Sequence, residues 1–135
     1  MILRPMATLK KCNMSDREFI LEYMKSLSDV SFDQPFENDF DTTVLRHTDT
    51  KRWFGIIMNI PEQKIGRDTN NQIDILNVKS RPEDSLALFE LYPQIIPAYH
   101  MNKTHWVTVP LDGSLSHKLI TFLINKSIEL TQKKK

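Results

Sequence analysis

The sequence has little cysteine and little glycine, and both scarcities exclude classes of protein. A single cysteine, Cys12, excludes an internal disulfide framework and any metal or iron–sulfur site built from several cysteines. Three glycines, Gly55, Gly66 and Gly113, are too few and too dispersed for a glycine-rich phosphate loop. No recognisable nucleophile motif surrounds a serine or the cysteine. We therefore expect neither a cofactor nor an enzymatic activity.

Long hydrophobic runs are also missing. The longest uninterrupted apolar stretch covers only residues 53–58 and includes a glycine. A membrane-spanning helix needs about 20 apolar residues, so no membrane association is expected. Residues 1–9 contain neither a long apolar run nor a clear cleavage site, which argues against a secretory signal. These features, with the lone cysteine, predict a cytoplasmic protein.

Positive and negative charges nearly balance over the 135 residues, since 18 bases and 17 acids give a net charge of +1. Their distribution is uneven, because residues 1–14 carry three bases and no acid and the last three residues are all lysine. Five acids and no base fall within residues 29–41. We interpret 1–14 as a basic extension and 132–135 as a basic tail, solvated rather than binding, around one domain at 15–131.

Capping signals and helical spacing predict three helices. The segment SDRE at 15–18 forms a capping box that opens a helix at about 16–27. A proline followed by two acids opens a second helix over about 82–91, since acids suit the positive end of the helix dipole. Ser114 or Ser116 caps the last helix, whose apolar residues recur at three- and four-residue steps.

Runs of β-branched, aromatic and alternating residues predict four strands. They are expected at 43–47, 51–60, 72–79 and 104–110. The first two form a hairpin, and residues 28–41 are interpreted as a long loop that carries Phe32 and Phe36 into the core. The resulting order is helix, strands, helix, strand, helix. That order is typical of an α+β protein with an antiparallel sheet and helices packed on one face.

Three stretches of the sequence together match one family pattern. They are LNVKSRPE at 76–83, IPAYHMNKTHWVTV at 96–109 and the closing segment 123–130 with Ser127. With them, the chain resembles the YjbR/MmcQ family of small bacterial proteins over about residues 15–131. The specific part is YHMNKTHW at 99–106. Ser80 and Arg81 replace the Cys-Asp pair that is frequent in the family, which makes this surface more basic.

The resemblance implies a frataxin-like (CyaY-like) α+β fold and a DNA-binding role in which two hairpin-like wings contact the duplex. Basic side chains near the turns and strand ends suit phosphate contacts, which position a protein without specifying sequence. The candidate nucleic-acid-binding residues are Arg46, Lys51, Arg52, Lys64, Arg67, Lys79, Arg81 and Lys103. Asp49, Glu62 and Asp68 lie beside them in the sequence and weaken the potential, and the alternative interpretation is a pair of solvated turns.

The run at 99–106 supports a second hypothesis, a module that binds an anionic small molecule or an acidic protein segment. Its candidate residues are Lys79, Tyr99, His100, Lys103, His105 and Trp106. Lys79 and Lys103 either meet at one end of the sheet as an anion site or pair with an acid such as Asp74 or Glu83. A continuous basic stripe across both turns favours DNA, whereas a concave spot around the two lysines favours a ligand.

The two histidines of this run do not predict a metal site. His100 and His105 are five residues apart across a turn, and no third ligand is evident nearby. We expect their imidazoles to bond backbone carbonyls and Trp106 to lie in the core. The sequence leaves the oligomeric state open.

Overall fold

Three α-helices, one short 3-10 helix (Glu62–Ile65) and six strands lie in the part of the chain that the computed structural model describes, residues 14–39 and 41–132. The helices are α1 (Asp16–Lys25), α2 (Pro82–Leu91) and α3 (His117–Thr131). The strands are β1 (Val30–Asp33), β2 (Thr43–His47), β3 (Trp53–Pro61), β4 (Gln72–Lys79), β5 (Ile96–Pro97) and β6 (Trp106–Pro110). Apart from Met14 and Gln132, the predicted basic extension and tail lie outside the described residues.

All strands pair antiparallel in one sheet of order β1-β2-β3-β4-β6-β5. Helix α3 packs across β3 and β4, and α1 packs against β1 and α3. The predicted α+β class with an antiparallel sheet is confirmed, and β2, β4 and α2 have their predicted bounds. Within the described residues, none of the helices combines the length and the apolar composition that a bilayer crossing needs.

The core lies between the helices and one face of the sheet. Ile20 and Met24 of α1 and Ile120 and Ile124 of α3 are at most 2% exposed. They share a cluster with the strand residues Leu45, Ile57, Leu76, Val78, Val107 and Val109. Burying an aliphatic side chain of this size contributes about 1.5–3 kcal/mol, so this layer holds the helices on the sheet.

The start of α1 follows its predicted capping box. The Ser15 hydroxyl oxygen accepts a hydrogen bond from the Glu18 backbone N–H at 3.1 Å. The Glu18 carboxylate in return accepts from the Ser15 N–H at 3.0 Å. Two backbone donors that the first helical turn leaves without partners are thereby satisfied.

The prediction of an unbroken loop at 28–41 is wrong, because β1 lies within it and pairs with β2 at the sheet edge. Val30 and Phe32 alternate with polar residues, and Phe32 packs against the core as predicted. Phe36 does not enter the core: it is 41% exposed, and its ring lies edge-on to Trp53 at a centroid distance of 6.4 Å.

A β-bulge in β3 changes which residues face the helices. Leu45 pairs with Gly55 and Arg46 pairs with Trp53, so Phe54 is an extra residue on β3. Phe54 is completely buried in the helix-side core. A Cβ at Gly55 would lie 2.8 Å from Leu45 Cδ1, which explains the glycine there. The bulge therefore directs Trp53 to the helix-free face beside Arg46.

Candidate functional site

The predicted DNA-contacting residues divide between the two ends of the sheet. Successive turns of an antiparallel sheet lie at opposite ends of the strand that joins them, and β3 has nine residues. At about 3.3 Å per residue, its two turns are roughly 30 Å apart. Lys51 and Arg52 precede β3, whereas Lys64 and Arg67 follow it. The two predicted wings therefore lie at opposite ends of the sheet.

The two ends differ in the partners of their charges, and we name them accordingly. The carboxylate end comprises the segment 62–71 with Arg17, Asp74 and Asp112. The basic end comprises Lys51, Arg52, Lys79 and Lys103. Lys79 ends β4 opposite Trp106, and the next residue, Ser80, donates its N–H to the carbonyl of His105 at 2.9 Å. These contacts bring the loop 98–105 to the same end as the turn 48–52.

At the carboxylate end, Arg17 and Asp74 form a part-buried bidentate pair. The Arg17 Nε and Nη2 atoms each lie 3.0 Å from an Asp74 carboxylate oxygen. Asn59 donates to the same carboxylate at 2.9 Å. Burial raises the pKa of Asp74, but hydrogen bonds from Arg17 and Asn59 outweigh it and hold that pKa below its ordinary value. This aspartate joins α1 to the sheet and is not available to either lysine of the second hypothesis.

Arg67 is also paired at the carboxylate end. Its guanidinium lies 3.0 Å from Asp112 and 3.5 Å from Glu62. The pKa of Glu62 is lowered chiefly by the hydrogen bond from the Thr69 hydroxyl, with help from Asn71 and Arg67. Arg67 thus fastens the 62–71 segment to the fold, and a phosphate could engage it only by displacing these carboxylates.

At the basic end, four cations have no carboxylate within ion-pair distance among the described residues. Arg52 donates instead to the carbonyl of Thr131 at 3.2 Å, and Lys103 Nζ donates to the carbonyl of Ala98 at 2.7 Å. Lys51 is exposed in a left-handed turn conformation with φ of 63°. A carbonyl orients a cation without cancelling its charge. Lys51, Arg52 and Lys103 are exposed and Lys79 is half-buried, so the positive charge at this end is available to an anion.

Two further predicted residues near this end are neutralised. Arg46 Nε lies 2.9 Å from Asp33, and its guanidinium carbon lies 5.6 Å from the centre of the Trp53 ring. Arg81 Nε lies 3.2 Å from Asp84, one turn along α2. The Arg81 pair is exposed, and exposed pairs contribute only about 0–1 kcal/mol. An anion can therefore replace Asp84 at little cost.

Two tryptophans lie with cations on the helix-free face of the basic end. Lys79 and Trp106 are directly opposite each other on neighbouring strands. Lys79 follows Val78 and Trp106 precedes Val107, and both valines belong to the helix-side core. Because side chains alternate along a strand, both point away from the helices. Trp106 is half-buried here, so its predicted place in the core is wrong. The bulge adds Trp53 and Arg46 to the same face.

The run at 99–106 uses many of its polar groups to close its own loop. Asn77 donates to the Tyr99 carbonyl at 2.9 Å, and the Tyr99 N–H donates to the Thr108 hydroxyl at 2.8 Å. Asn102 accepts from the backbone N–H groups of two following residues. These bonds explain the family-like run structurally. The ligand-binding hypothesis for these residues remains a prediction.

Within the described residues, neither histidine of the run bonds a backbone carbonyl as expected. His100 has a left-handed backbone conformation with φ of 61°, and its ring packs on Tyr99 at a centroid distance of 4.0 Å. His105 is exposed. Both imidazoles therefore lie on the surface of the basic end.

Sequence reasoning missed the role of the end of α3 in holding the basic end together. The buried Ser127 hydroxyl donates to the Phe54 carbonyl at 2.5 Å and accepts from the Lys79 N–H at 2.9 Å. It thus bridges β3 and β4 beside the bulge. The match of Ser127 to the family pattern was the only signal for this contact.

A second contact joins α3 to the turn before β3. The Thr131 hydroxyl donates to the Ser127 carbonyl at 2.7 Å, so it accepts from His47 Nε2, also at 2.7 Å. Burial lowers the pKa of His47, and Arg52 lowers it further, against an opposing effect of Asp49. The neutral imidazole is therefore the form that the fold favours.

Comparison with known proteins gives consistent matches over most of the chain. A family model described as YjbR matches residues 25–130. The uncharacterised protein YyaQ of Bacillus subtilis is 40% identical over 119 residues, which are 88% of this chain and 100% of the relative. YbdF of Escherichia coli O157:H7, also uncharacterised, is 43% identical over 58 residues, which are 43% of this chain and 48% of that protein.

Solved structures match over a similar span. A crystal structure of a Pseudomonas syringae protein has 40% identity and a TM-score of 0.80, and the match covers 86% of this chain and 98% of that one. The crystal structure of Deinococcus radiodurans protein DR2400 has 30% identity and a TM-score of 0.68, covering 90% of this chain and 81% of that one.

Proposed function

The chain belongs to the YjbR family, and we propose that it is a non-enzymatic protein that binds duplex DNA weakly through phosphate contacts at the basic end. The proposal includes a frataxin-like (CyaY-like) arrangement of the sheet and helices, as the sequence resemblance implies. It narrows the predicted contact set to Lys51, Arg52, Lys79 and Lys103, with Arg81 joining when a phosphate replaces Asp84. Lys64 and Arg67 are left out, since they lie at the other end of the sheet.

The observation that carries the proposal is the set of four cations without carboxylate partners at one end. Neutralising DNA phosphates releases counterions, and this release supplies most of the affinity of sequence-independent binding. A cation that is already paired with a carboxylate contributes less to the free energy of DNA binding, because its existing ion pair must be broken first. For this reason we place the proposed DNA contacts at the basic end and not at the carboxylate end.

The spacing of two projections at this end suits a duplex. The turn 48–52 joins β2 to β3, and the loop 98–105 joins β5 to β6. In the sheet order, these two connections are three strand positions apart, or about 14 Å at roughly 4.8 Å per strand. The major groove of B-DNA is about 12 Å wide. The two projections therefore match phosphates on either side of a groove, with Lys79 between them.

The test is fluorescence anisotropy of the full chain with a labelled random duplex of about 20 base pairs, titrated at low and near-physiological salt. We expect Lys79→Glu and Lys51→Glu each to weaken binding and to reduce the salt slope by about one. Lys64→Glu is the matched control, because it changes net charge equally on an exposed lysine at the other end.

Three outcomes contradict the proposal. The first is no binding by the full chain at low salt. The second is equal weakening by all three variants, which indicates a response to net charge alone. The third is unchanged binding in all three, which assigns the affinity to other cations, including those at 1–14 and 133–135.

A further inference from the structure

A groove between α2 and α3 lies on the helix side of the sheet, next to the basic end. Its volume is about 250 Å³. Leu88 of α2 and Phe122, Leu123 and Leu130 of α3 form its apolar wall. Phe122 is 55% exposed, which is unusual for so large an apolar side chain beside a concave surface. Exposed apolar surface of this kind is typical of a binding site.

The same groove has a cationic lining. The side chains of Arg81 and Lys126 contribute to it, with that of Asp84 as the acid. Lys126 lies 3.7 Å from Glu129, which is 67% exposed, and both Arg81 and Asp84 are more than 40% exposed. Exposed pairs of this kind are weak. An entering anion can therefore take over both cations without a large loss.

We propose that this groove binds a small amphipathic anion. Its apolar part, one ring system or a short aliphatic chain, lies against Phe122 and Leu88, and its carboxylate, sulfonate or phosphate lies near Lys126 and Arg81. The volume of the groove is below the roughly 300–1,000 Å³ of pockets for drug-sized ligands, so the expected ligand is smaller than a drug-sized molecule. A cationic ligand is disfavoured because two of the three charged side chains that line the groove, Arg81 and Lys126, are positive. The groove shares Arg81 with the proposed DNA contact set, but Phe122 and Lys126 lie outside that set, so variants at these two residues distinguish the two proposals.

The test uses 1-anilinonaphthalene-8-sulfonate as the probe, because it combines an aromatic body with a fixed anion. We expect saturable binding of one probe molecule to the full chain, seen as increased fluorescence. Octanoate should displace the probe, whereas octylammonium, with the same chain length and the opposite charge, should not. Phe122→Gln and Lys126→Gln should each weaken probe binding about tenfold, as expected for loss of an apolar wall or a charge-assisted contact.

Two controls match these variants on the same helices. Leu86→Gln removes an exposed apolar side chain of α2 that does not line the groove, and Lys118→Gln removes an exposed lysine at the opposite end of α3. Both should leave the probe affinity unchanged. Equal weakening by variants and controls, or displacement by octylammonium as readily as by octanoate, would overturn the proposal.

The two proposals fail separately. Phe122→Gln should leave the affinity for the duplex unchanged while it weakens the probe. If no saturable probe binding occurs, the groove proposal is wrong, whatever the anisotropy titration with DNA shows.

Discussion

The two ends of the sheet carry similar cations and use them differently. At the carboxylate end, Arg17 and Arg67 each contact carboxylates and fasten a helix or a turn to the sheet. At the basic end, Arg52 and Lys103 contact backbone carbonyls instead, so their charge is not cancelled. The comparison teaches that a cation near a turn is available to a ligand where no carboxylate lies within ion-pair distance, or where its ion pair is exposed and weak.

Removal of the link between the basic end and α3 should cause the largest loss of stability. Ser127→Ala leaves the buried Phe54 carbonyl and Lys79 N–H without their partner. Each unsatisfied buried group costs about 1–3 kcal/mol, so we expect the free energy of unfolding in urea to fall by about 2–6 kcal/mol. Ser85→Ala is the control, since the hydroxyl of this buried serine makes one hydrogen bond within the described residues, to the Arg81 carbonyl. A similar loss in both variants would contradict the bridging role.

The carboxylate end should respond to loss of its bidentate pair. Arg17→Met leaves Asp74 without its guanidinium partner, and we expect a loss of about 1.5–3 kcal/mol at neutral pH, typical of hydrogen bonds to charged groups. Arg81→Met removes an exposed pair and should cost less than about 1 kcal/mol. Equal losses would show that burial of the pair has no effect.

The same pair should make the carboxylate end sensitive to acid. The folded state lowers the pKa of Asp74, so its contribution is fully present above the ordinary carboxyl pKa of 3.8. It is lost as the pH falls through the lower, folded pKa. The stability difference between the parent protein and Arg17→Met should therefore narrow below pH 3.8. A difference that stays constant to the lowest pH at which the protein is folded would contradict this account.

The basic end should weaken in a milder pH range, through His47. Because burial lowers its folded pKa below the ordinary value of 6.5, the unfolded chain binds a proton first as the pH falls. The contribution of His47 is thus complete above about pH 6.5 and is lost towards the folded pKa. The free energy of unfolding, measured in urea, should fall less between pH 7.5 and pH 5.5 in His47→Gln than in the parent protein. The exposed His105→Gln should retain the parental decrease, and equal behaviour of both variants would refute the assignment.

The smallest expected effect is on stability when single exposed lysines are reversed. Lys51→Glu and Lys64→Glu lie at opposite ends, and both should change the free energy of unfolding by less than about 0.5 kcal/mol. If the two variants are equally stable, a difference between their DNA affinities reports only the position of the reversed charge. A clearly destabilised Lys51→Glu would mean that its binding loss is not interpretable as a lost contact.

Local signals in the sequence were sufficient for much of the fold. The capping box at Ser15 and the alternation along 72–79 predicted α1 and β4, because both depend on neighbours within a few residues. β1 was missed because only Val30 and Phe32 mark it within an acidic segment. β5 has two residues, one of them proline, and depends on pairing with β6.

The candidate site was less predictable because it depends on contacts distant in sequence. The partner of Arg17 is 57 residues away, and Ser127 lies 73 residues from Phe54. The alternation of apolar and polar residues along the sequence does not predict the bulge that turns Trp53 away from the helices. The sequence therefore indicated which residues were cationic, and only the register showed which of them share one end.

The most direct test of the difference between the two ends is an NMR titration of the isotopically labelled full chain with a short unlabelled duplex. We predict that amide signals of residues 48–53, 79–81 and 102–106 shift together and saturate, while those of residues 62–71 stay in place. Equal shifts in 62–71, or shifts confined to residues outside the basic end, would contradict the account.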